Sequence, residues 1–361
     1  CVYAILKCEK KKYKTIPYAL FVNGNSAYNI QDGDAMLNDK AKQVTSAVFG
    51  RGPKDADKLG KGVTRQYGKG VDGFNVSSCQ FAIHYFFQTP DTLKGFMRNL
   101  AECTKINGYF IGTCYDGKLI FKELSKVKTS DSVKIIDNGK KIWEITKEYG
   151  SDIFEDNSSS IGYEITVFQE SINQQISEYL VNFDYLSRVM TAYGFELVVR
   201  EEANNLGLPA STGLFSELFL QMSDEIEKNK FNSKDYANAQ FMTAFEKKIS
   251  FLNRYFIYKK VRTVNIETIQ LELGEYQETT TSINASDTLR AQENAVKKTK
   301  KSQPKKIRKL DKKMLLVAAT ESVDDIQPPP LTIKQPSVKS KKIKTAKKLV
   351  FVDNSDDDED V

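Results

Sequence analysis

The chain has 361 residues, with 53 Lys and Arg against 47 Asp and Glu, one His and five Cys. This length is enough for one large domain or two smaller ones, each with a core of its own. Zinc and iron sites built on histidine need two or more imidazoles, so a single His excludes them. The five cysteines are widely spaced and form no C-x-x-C pair, which favours reduced intracellular thiols over a disulfide framework. No run of 18 apolar residues occurs, so the sequence predicts no membrane span.

The net charge of +6 is unevenly distributed along the chain. Residues 1–275 carry 35 basic and 34 acidic side chains, whereas residues 276–361 carry 18 and 13. The second segment has a basic stretch, an acidic end and a triple proline, and it contains hardly any aromatic residues. It cannot bury enough apolar area to offset the ordering of its backbone. We therefore expect a folded domain over residues 1–275 and a disordered basic and acidic tail over residues 276–361.

Apolar periodicity predicts the first elements of the folded part. A continuous apolar run at residues 17–22 is typical of a buried parallel strand. Residues 74–79 form a second predicted strand. Apolar side chains at steps of three and four predict an amphipathic helix over residues 91–103, and residues 109–114 form a third strand. Strand, helix and strand in such close succession predict a right-handed parallel crossover.

The remaining elements continue the alternation of strands and helices. We predict strands at 141–147, 162–168 and 195–200, a helix at 183–193, a long polar helical region at 216–248 and a last strand at 255–261. Such alternation is typical of an α/β fold.

Residues 50–73 contain seven glycines among several Lys and Arg residues. They lack the spacing of a P-loop, because neither Gly60-Lys61 nor Gly68-Lys69 has a glycine five positions earlier, and neither Lys is followed by Ser or Thr. Two interpretations are compatible with this segment. It is either a mobile surface loop or a flap whose Lys and Arg side chains contact nucleic-acid phosphates.

The densest chemical signal lies where the second predicted strand ends. Gln80, His84 and Tyr85 follow that strand in the run FNVSSCQFAIHYFF. Ligands bind beyond the carboxyl ends of the strands in open α/β sheets, so these side chains lie where a ligand is expected. From the pattern alone, His84 is equally compatible with packing in the core and with contacting a ligand.

The run FNVSSCQFAIHYFF, followed by a helix and NGYFIGT, resembles the mRNA cap guanine-N7 methyltransferase family over residues 1–262. The segments GRGPKDADKLGKGV and KKIWEITKEY are similar to the methyltransferase segment of capping enzymes of large nucleocytoplasmic DNA viruses, the giant-virus type. The resemblance implies a class I (Rossmann-like) S-adenosylmethionine-dependent methyltransferase fold. It also implies methyl transfer from S-adenosyl-L-methionine to the cap guanine of GpppRNA during mRNA capping.

Individual positions carry over from the family motifs. The residues that the resemblance implies are Asn25, Gln80 and Tyr85 on the cofactor side and His84, Glu178 and Tyr255 on the cap guanine side. Asn25 stands where the family has an aspartate, which changes the electrostatics of the adenine side. Without the resemblance, Glu178 would be interpreted as an exposed carboxylate at the start of a helix. No metal site and no catalytic acid or base is expected, because guanine N7 has a free lone pair and needs only positioning.

One part of the family pattern is missing from these 361 residues. Family members begin the fold with a glycine-rich strand–loop–helix of the type DLGCGKGGD and with an acid that binds the cofactor ribose. We therefore expect the chain to be the C-terminal part of a longer capping polypeptide with upstream triphosphatase and guanylyltransferase domains. The expected location is intracellular: the host cytoplasm or the virion for a viral protein, with the nucleus left open by the basic tail.

Two other functions are compatible with the residues. The missing cofactor loop and Asn25 favour a non-catalytic RNA- or partner-binding subunit of a capping complex with a degenerate methyltransferase fold. A methyltransferase that acts on a small molecule or on another RNA position is the second. In the tail, the run KKTKKSQPKKIRKLDKK at residues 297–313 is typical of an RNA-binding arm or of a nuclear localisation signal.

Overall fold

The structure, a computed structural model, describes residues 18–228 and 236–269, and all of these belong to one compact unit. The predicted tail, its boundary at residue 275 and the basic run at 297–313 lie outside the described residues. In the described ranges, no helix is both long and apolar enough to cross a lipid bilayer.

The described residues contain nine strands and nine α-helices. The strands are β1 (Phe74–Gln80), β2 (Thr104–Tyr115), β3 (Ser132–Asp137), β4 (Lys140–Lys147), β5 (Glu164–Gln169), β6 (Gln174–Tyr179), β7 (Phe195–Leu197), β8 (Thr212–Leu214) and β9 (Asn253–Lys260). The helices are α1 (Asp39–Val48), α2 (Ala56–Leu59), α3 (Lys61–Thr64), α4 (Pro90–Cys103), α5 (Gly117–Leu124), α6 (Phe183–Ala192), α7 (Arg200–Asn205), α8 (Phe215–Glu227) and α9 (Ala244–Ser250). Short 3₁₀ turns lie at Ile83–Phe87, Ser158–Ser160 and Ala239–Phe241.

The strands form a mixed central sheet and a second, antiparallel sheet. The central sheet has the order β1–β2–β9–β7, and β8 also pairs with β9. Strands β1 and β2 are parallel, whereas β9 is antiparallel to each of its neighbours. The second sheet is a meander in the order β3–β4–β5–β6. The parallel crossover predicted from β1 through α4 to β2 is confirmed, and the second sheet forms a layer that the predicted alternation did not separate.

Helix α4 shows how local sequence sets these elements. Thr89 and Thr92 form a capping box at its start, and Pro90 occupies a first-turn position where its missing N–H costs nothing. The apolar stripe of α4 includes Leu93 and Met97, which pack in one core cluster with Phe110 of β2. Burial of each such side chain contributes about 1.5–3 kcal/mol. Leu186 and Met190 of α6 belong to the same cluster, so the main core packs α4 and α6 against one face of the central sheet.

Several predicted elements differ from the structure. Residues 18–22 are not a strand: Leu20 and Val22 line a groove of about 440 Å³ along the outer side of β1, and no described strand pairs with them. The polar region at 216–248 is divided into α8, a 3₁₀ turn and α9, and the strand predicted at 195–200 ends at Leu197. The segment at 50–73 is not a plain loop, since it contains α2 and α3.

Candidate functional site

The chain turns sharply where β1 ends, and this turn places the motif residues. Phe81 has a φ of 50°, a left-handed conformation that a bulky residue rarely adopts. Its N–H still donates to the carbonyl of Thr113 at 2.8 Å, so the strand stops at a defined point. The following 3₁₀ turn buries Ile83 completely. The turn thereby directs His84 inward and leaves Tyr85 partly exposed, at 42 %.

Gln80, the last residue of β1, is held by hydroxyl groups on two sides. Its Nε2 donates to Ser78 Oγ at 3.0 Å, and its Oε1 accepts from Thr113 Oγ1 at 2.9 Å. The sheet register places Gln80 opposite Thr113, and Thr113 in turn opposite Tyr255 on β9. Residues in register across a sheet project from the same face, so one row links a predicted cofactor residue with a predicted cap residue.

His84 and Glu178 meet at the junction of the two sheets. Glu178 lies on β6, an edge strand of the second sheet, and its Oε1 is 3.8 Å from His84 Nε2. Their side chains are only 6 % and 14 % exposed. The distance is too long for a hydrogen bond, and neither ring nitrogen of His84 has a hydrogen-bond partner among the described residues.

Burial dominates the titration of this pair. It lowers the pKa of His84 to about 4 and raises the pKa of Glu178 to about 7. An ion pair would shift both pKa values in the opposite directions, so the imidazole is neutral at neutral pH. The ring of Tyr85 packs edge-on against His84, with 4.2 Å between centroids. Burial and the nearby carboxylate of Glu178 also raise the pKa of Tyr85.

Tyr255 lies on β9, two strands away from Gln80 in the central sheet, and is 5 % exposed. Its hydroxyl has no hydrogen-bond partner in the described part of the chain, although the main chain of Ala210 approaches it. A methyl group on Gly213 would lie 2.9 Å from this hydroxyl and 2.5 Å from the carboxylate of Glu217. Burial and the charge of Glu217 raise the pKa of Tyr255. Glycine at position 213 therefore leaves room for both the exposed side chain of Glu217 and the buried hydroxyl of Tyr255.

Asn25 lies on a loop that packs against α4. Its Oδ1 accepts the N–H of Ala27 at 3.0 Å, so the side chain stabilises its own turn. Asn99 of α4 fixes the loop by donating to the carbonyls of Ser26 and Tyr28. A Cβ on Gly95 of α4 would collide with the carbonyl of Ala27, so only glycine allows this close packing.

A cavity of about 320 Å³ joins this loop to the end of β1. Its lining includes Ser26, Ser78, Gln80, Ala82 and Phe86. The combination of apolar walls with a few hydroxyl and amide groups is typical of a small-molecule site. The described residues contain no group of three or more side chains suited to hold a metal ion.

The predicted residues thus fall into three neighbouring places. His84, Glu178 and Tyr85 are in one cluster, Gln80 borders the cavity, and Tyr255 is joined to Gln80 through the sheet. Asn25 is brought near the cavity by its loop, but its neighbour Ser26 lines the wall.

Sequence reasoning missed three residues at this site: Phe81, Thr113 and Glu217. Thr113 ends the GYFIGT motif opposite Gln80, so strand pairing could have identified it. The ring of Phe81 packs edge-on against Phe215, with 6.1 Å between centroids, which brings the start of α8 to the end of β1. No sequence signal identifies Glu217, because its proximity to Gly213 and Tyr255 depends on how α8 packs.

The sequence profile of the mRNA (guanine-N(7))-methyltransferase domain matches residues 30–261. The chain belongs to this family. Membership agrees with the mixed α/β sheet and confirms the class I methyltransferase fold predicted from the motifs. The glycine-rich strand–loop–helix that begins the fold in the family is not among the described residues.

Two relatives share part of their length with this chain. A probable mRNA-capping enzyme of Acanthamoeba polyphaga mimivirus is 29 % identical over 216 residues, which are 54 % of this chain and 18 % of the viral protein. The mRNA cap guanine-N(7) methyltransferase of Saccharomyces cerevisiae is 32 % identical over 128 residues, or 34 % of this chain and 28 % of the yeast protein. The chain therefore spans less than a third of either relative.

Solved structures are more distant from this methyltransferase-family chain. The CcbJ methyltransferase of Streptomyces caelestis is 11 % identical and has a TM-score of 0.28, over 54 % of this chain and 59 % of that one. A likeness at this level supports no inference about the site.

Proposed function

We propose that this chain supplies the mRNA (guanine-N7)-methyltransferase activity of a capping machinery, transferring a methyl group from S-adenosyl-L-methionine to the cap guanine of GpppRNA. The observation that carries the proposal is the buried pair Glu178 and His84 at the end of β1, beside the cavity bordered by Gln80. Membership of the methyltransferase family and similarity to a viral capping enzyme support it.

Glu178 is suited to hold the guanine edge. Guanine presents two neighbouring donors, N1–H and the exocyclic amine, and a carboxylate accepts both at once. Such charge-assisted hydrogen bonds are about twice as strong as neutral ones and impose an orientation. The carboxylate retains some exposure, so it can be reached from the surface. Adenine presents an acceptor at N1, so Glu178 would also discriminate against it.

The charges at the site favour the transition state of methylation at N7. A methyl group that arrives as a formal cation gives the purine a positive charge. The negative charge of Glu178 stabilises that developing charge in a partly dry environment, and it does so more strongly in the transition state than in the ground state. Neutral His84 avoids the repulsion that an imidazolium would add. The reaction needs no general base, because N7 carries a free lone pair.

S-adenosyl-L-methionine fits the donor set around the cavity, which combines apolar walls with the hydroxyl of Ser78 and the carboxamide of Gln80. When bound, the cofactor supplies an electrophilic methyl group on its sulfonium. Gln80 would hold it by hydrogen bonds, Tyr85 would face it from the 3₁₀ turn, and the loop of Asn25 would close the far side.

Capped or GpppG-ended mRNA is the proposed substrate. Triphosphatase and guanylyltransferase units are proposed partners, because they produce that end, and the viral relative named as a capping enzyme is several times longer than the matched region. An intracellular site of action follows from this chemistry, since capping acts on newly made mRNA.

The direct assay mixes the full-length protein, S-adenosylmethionine labelled in its methyl group and RNA with a GpppG end. Digestion of the product to nucleosides is expected to release the label as 7-methylguanosine. Label that appears in another nucleoside, or no transfer to RNA at all, would contradict the proposal. If methyl groups are transferred to RNA but the protein does not bind the unmethylated cap, the substrate is a different one.

A further inference from the structure

Thr113 lies between the two halves of the candidate site. On β2 it is paired with Gln80 of β1 on one side and with Tyr255 of β9 on the other. Its hydroxyl reaches sideways to Gln80 Oε1 at 2.9 Å. Neither composition nor the family's implied site residues point to this threonine.

The hydrogen bonds around Gln80 restrict how its carboxamide can turn. A carboxamide has two donor hydrogens and two acceptor lone pairs, and it rotates freely when nothing holds it. Thr113 holds one end, and Ser78 Oγ holds the other at 3.0 Å from Nε2. Because a hydroxyl both donates and accepts, these two groups fix the amide plane whichever way the amide is turned. One N–H and one lone pair remain unused by these two bonds, on a residue that lines the cavity.

The geometry points to Thr113 as a positioning residue: we propose that its hydroxyl pre-orients the carboxamide of Gln80 for binding of the adenosyl cofactor. The proposal rests on the proposed function, in which Gln80 contacts S-adenosylmethionine. A pre-oriented side chain loses less conformational freedom on binding, so affinity rises without any new contact to the ligand. Thr113 itself does not touch the cofactor and acts only through Gln80.

The test uses the full-length protein and S-adenosylhomocysteine as a stable probe in titration calorimetry. Thr113→Val keeps the size and branching of the side chain and removes the hydroxyl. Thr113→Ser keeps the hydroxyl and removes the methyl group. Ordering one freed side chain on binding costs about 1 kcal/mol, which corresponds to an affinity about fivefold weaker. We expect this loss for the Val variant and near-complete recovery for the Ser variant.

Two further variants separate positioning from a general effect on the sheet. Thr166→Val removes a comparable hydrogen bond, from Thr166 to Glu148 in the second sheet, and is expected to leave the affinity unchanged. In a Gln80→Ala background, Thr113→Val is expected to have no further effect, because the group that it orients is gone.

The outcomes distinguish this inference from the function on which it rests. An unaltered affinity in Thr113→Val, or a fivefold loss that persists in the Gln80→Ala background, overturns the positioning role and leaves the proposed function intact. Failure of the unaltered protein to bind S-adenosylhomocysteine overturns both.

Discussion

Glu178 Oε1 lies 3.8 Å from His84 Nε2, in a place where both side chains are largely withdrawn from water. His84 lies on the 3₁₀ turn after β1 and Glu178 lies on β6 of the second sheet, 94 positions further along the sequence. Burial favours the neutral form of each group, since it lowers the pKa of His84 to about 4 and raises the pKa of Glu178 to about 7, so the pair can be uncharged near neutral pH. A ligand that brings hydrogen-bond donors to Glu178 would then favour its ionised form.

The affinity for the cap is therefore expected to depend on the protonation of Glu178. Burial raises its pKa to about 7, and only the carboxylate form accepts from both guanine donors. Affinity for a GpppG dinucleotide should fall about tenfold between pH 8 and pH 6, because the competent fraction falls by about that factor. Calorimetric titration across this range checks it. Glu178→Gln should bind more weakly and show no step, whereas a flat profile for the unaltered protein would contradict the assignment.

The same pair should contribute to stability with opposite signs. The folded-state pKa of His84 lies at about 4, below its unfolded value, so its contribution is lost as the pH falls from 6.5 to 4. The folded-state pKa of Glu178 lies at about 7, above its unfolded value, so its contribution grows as the pH falls from 7 to 4.5. Each amounts to at most about 3 kcal/mol, and they largely cancel.

Single substitutions should expose each half of this balance. Relative to the unaltered protein, Glu178→Gln is expected to lose stability on acidification from pH 6.5 to 4.5, and His84→Gln is expected to gain it. Urea unfolding at pH 4.5, 5.5 and 6.5 measures both effects. The interpretation would be wrong if both variants followed the pH profile of the unaltered protein.

Removal of the ion pair between Asp116 and Arg254 should be costly. Arg254 Nε donates to Asp116 Oδ2 at 2.6 Å, and the aspartate side chain is 6 % exposed and also caps α5. Asp116→Ala leaves the Arg254 guanidinium without a carboxylate partner, and a loss of about 3 kcal/mol in the free energy of unfolding is expected. The matched change Asp184→Ala breaks an exposed pair with Lys118 and should cost less than about 1 kcal/mol. Similar losses for both variants would contradict the account.

Substitution of Gly95 should disturb the loop that carries Asn25. Helix propensity alone predicts that Gly95→Ala stabilises the protein by up to about 1 kcal/mol. The new methyl group would collide with the carbonyl of Ala27, so we expect lower stability and weaker binding of S-adenosylhomocysteine. Gly62→Ala in α3 meets no atom within 4 Å and serves as the control. A Gly95→Ala protein as stable as the control would show that the contact is not needed.

The elements that could be predicted from sequence are those with a self-contained signal. Helix α4 has a capping residue, a proline and a regular apolar stripe, and both flanking strands are bounded by turns. The run at 17–22 is equally apolar, but a strand also needs a partner for its main-chain groups, and the pattern cannot supply one. The side chains of Tyr18, Leu20 and Val22 instead line the groove beside β1.

The candidate site was predictable where residues are close in sequence. Gln80, His84 and Tyr85 share one turn, so a single motif locates them. The pattern alone would place Glu178 at the start of a helix, but it lies in the edge strand β6. The following helix, α6, begins only at Phe183, and its N-cap is Asn182, whose Oδ1 accepts the N–H groups of Asp184 and Tyr185. The proximity of Glu178 to His84 depends on the packing of two sheets, which no local pattern encodes.

A crystal structure of the full-length protein with GpppG and S-adenosylhomocysteine tests the central claim most directly. The account predicts the N1–H and amino edge of the cap guanine at hydrogen-bond distance from Glu178, with N7 turned toward the cavity bordered by Gln80. A guanine bound elsewhere, or one that presents another edge to Glu178 while N7 faces away from the cofactor, would contradict it.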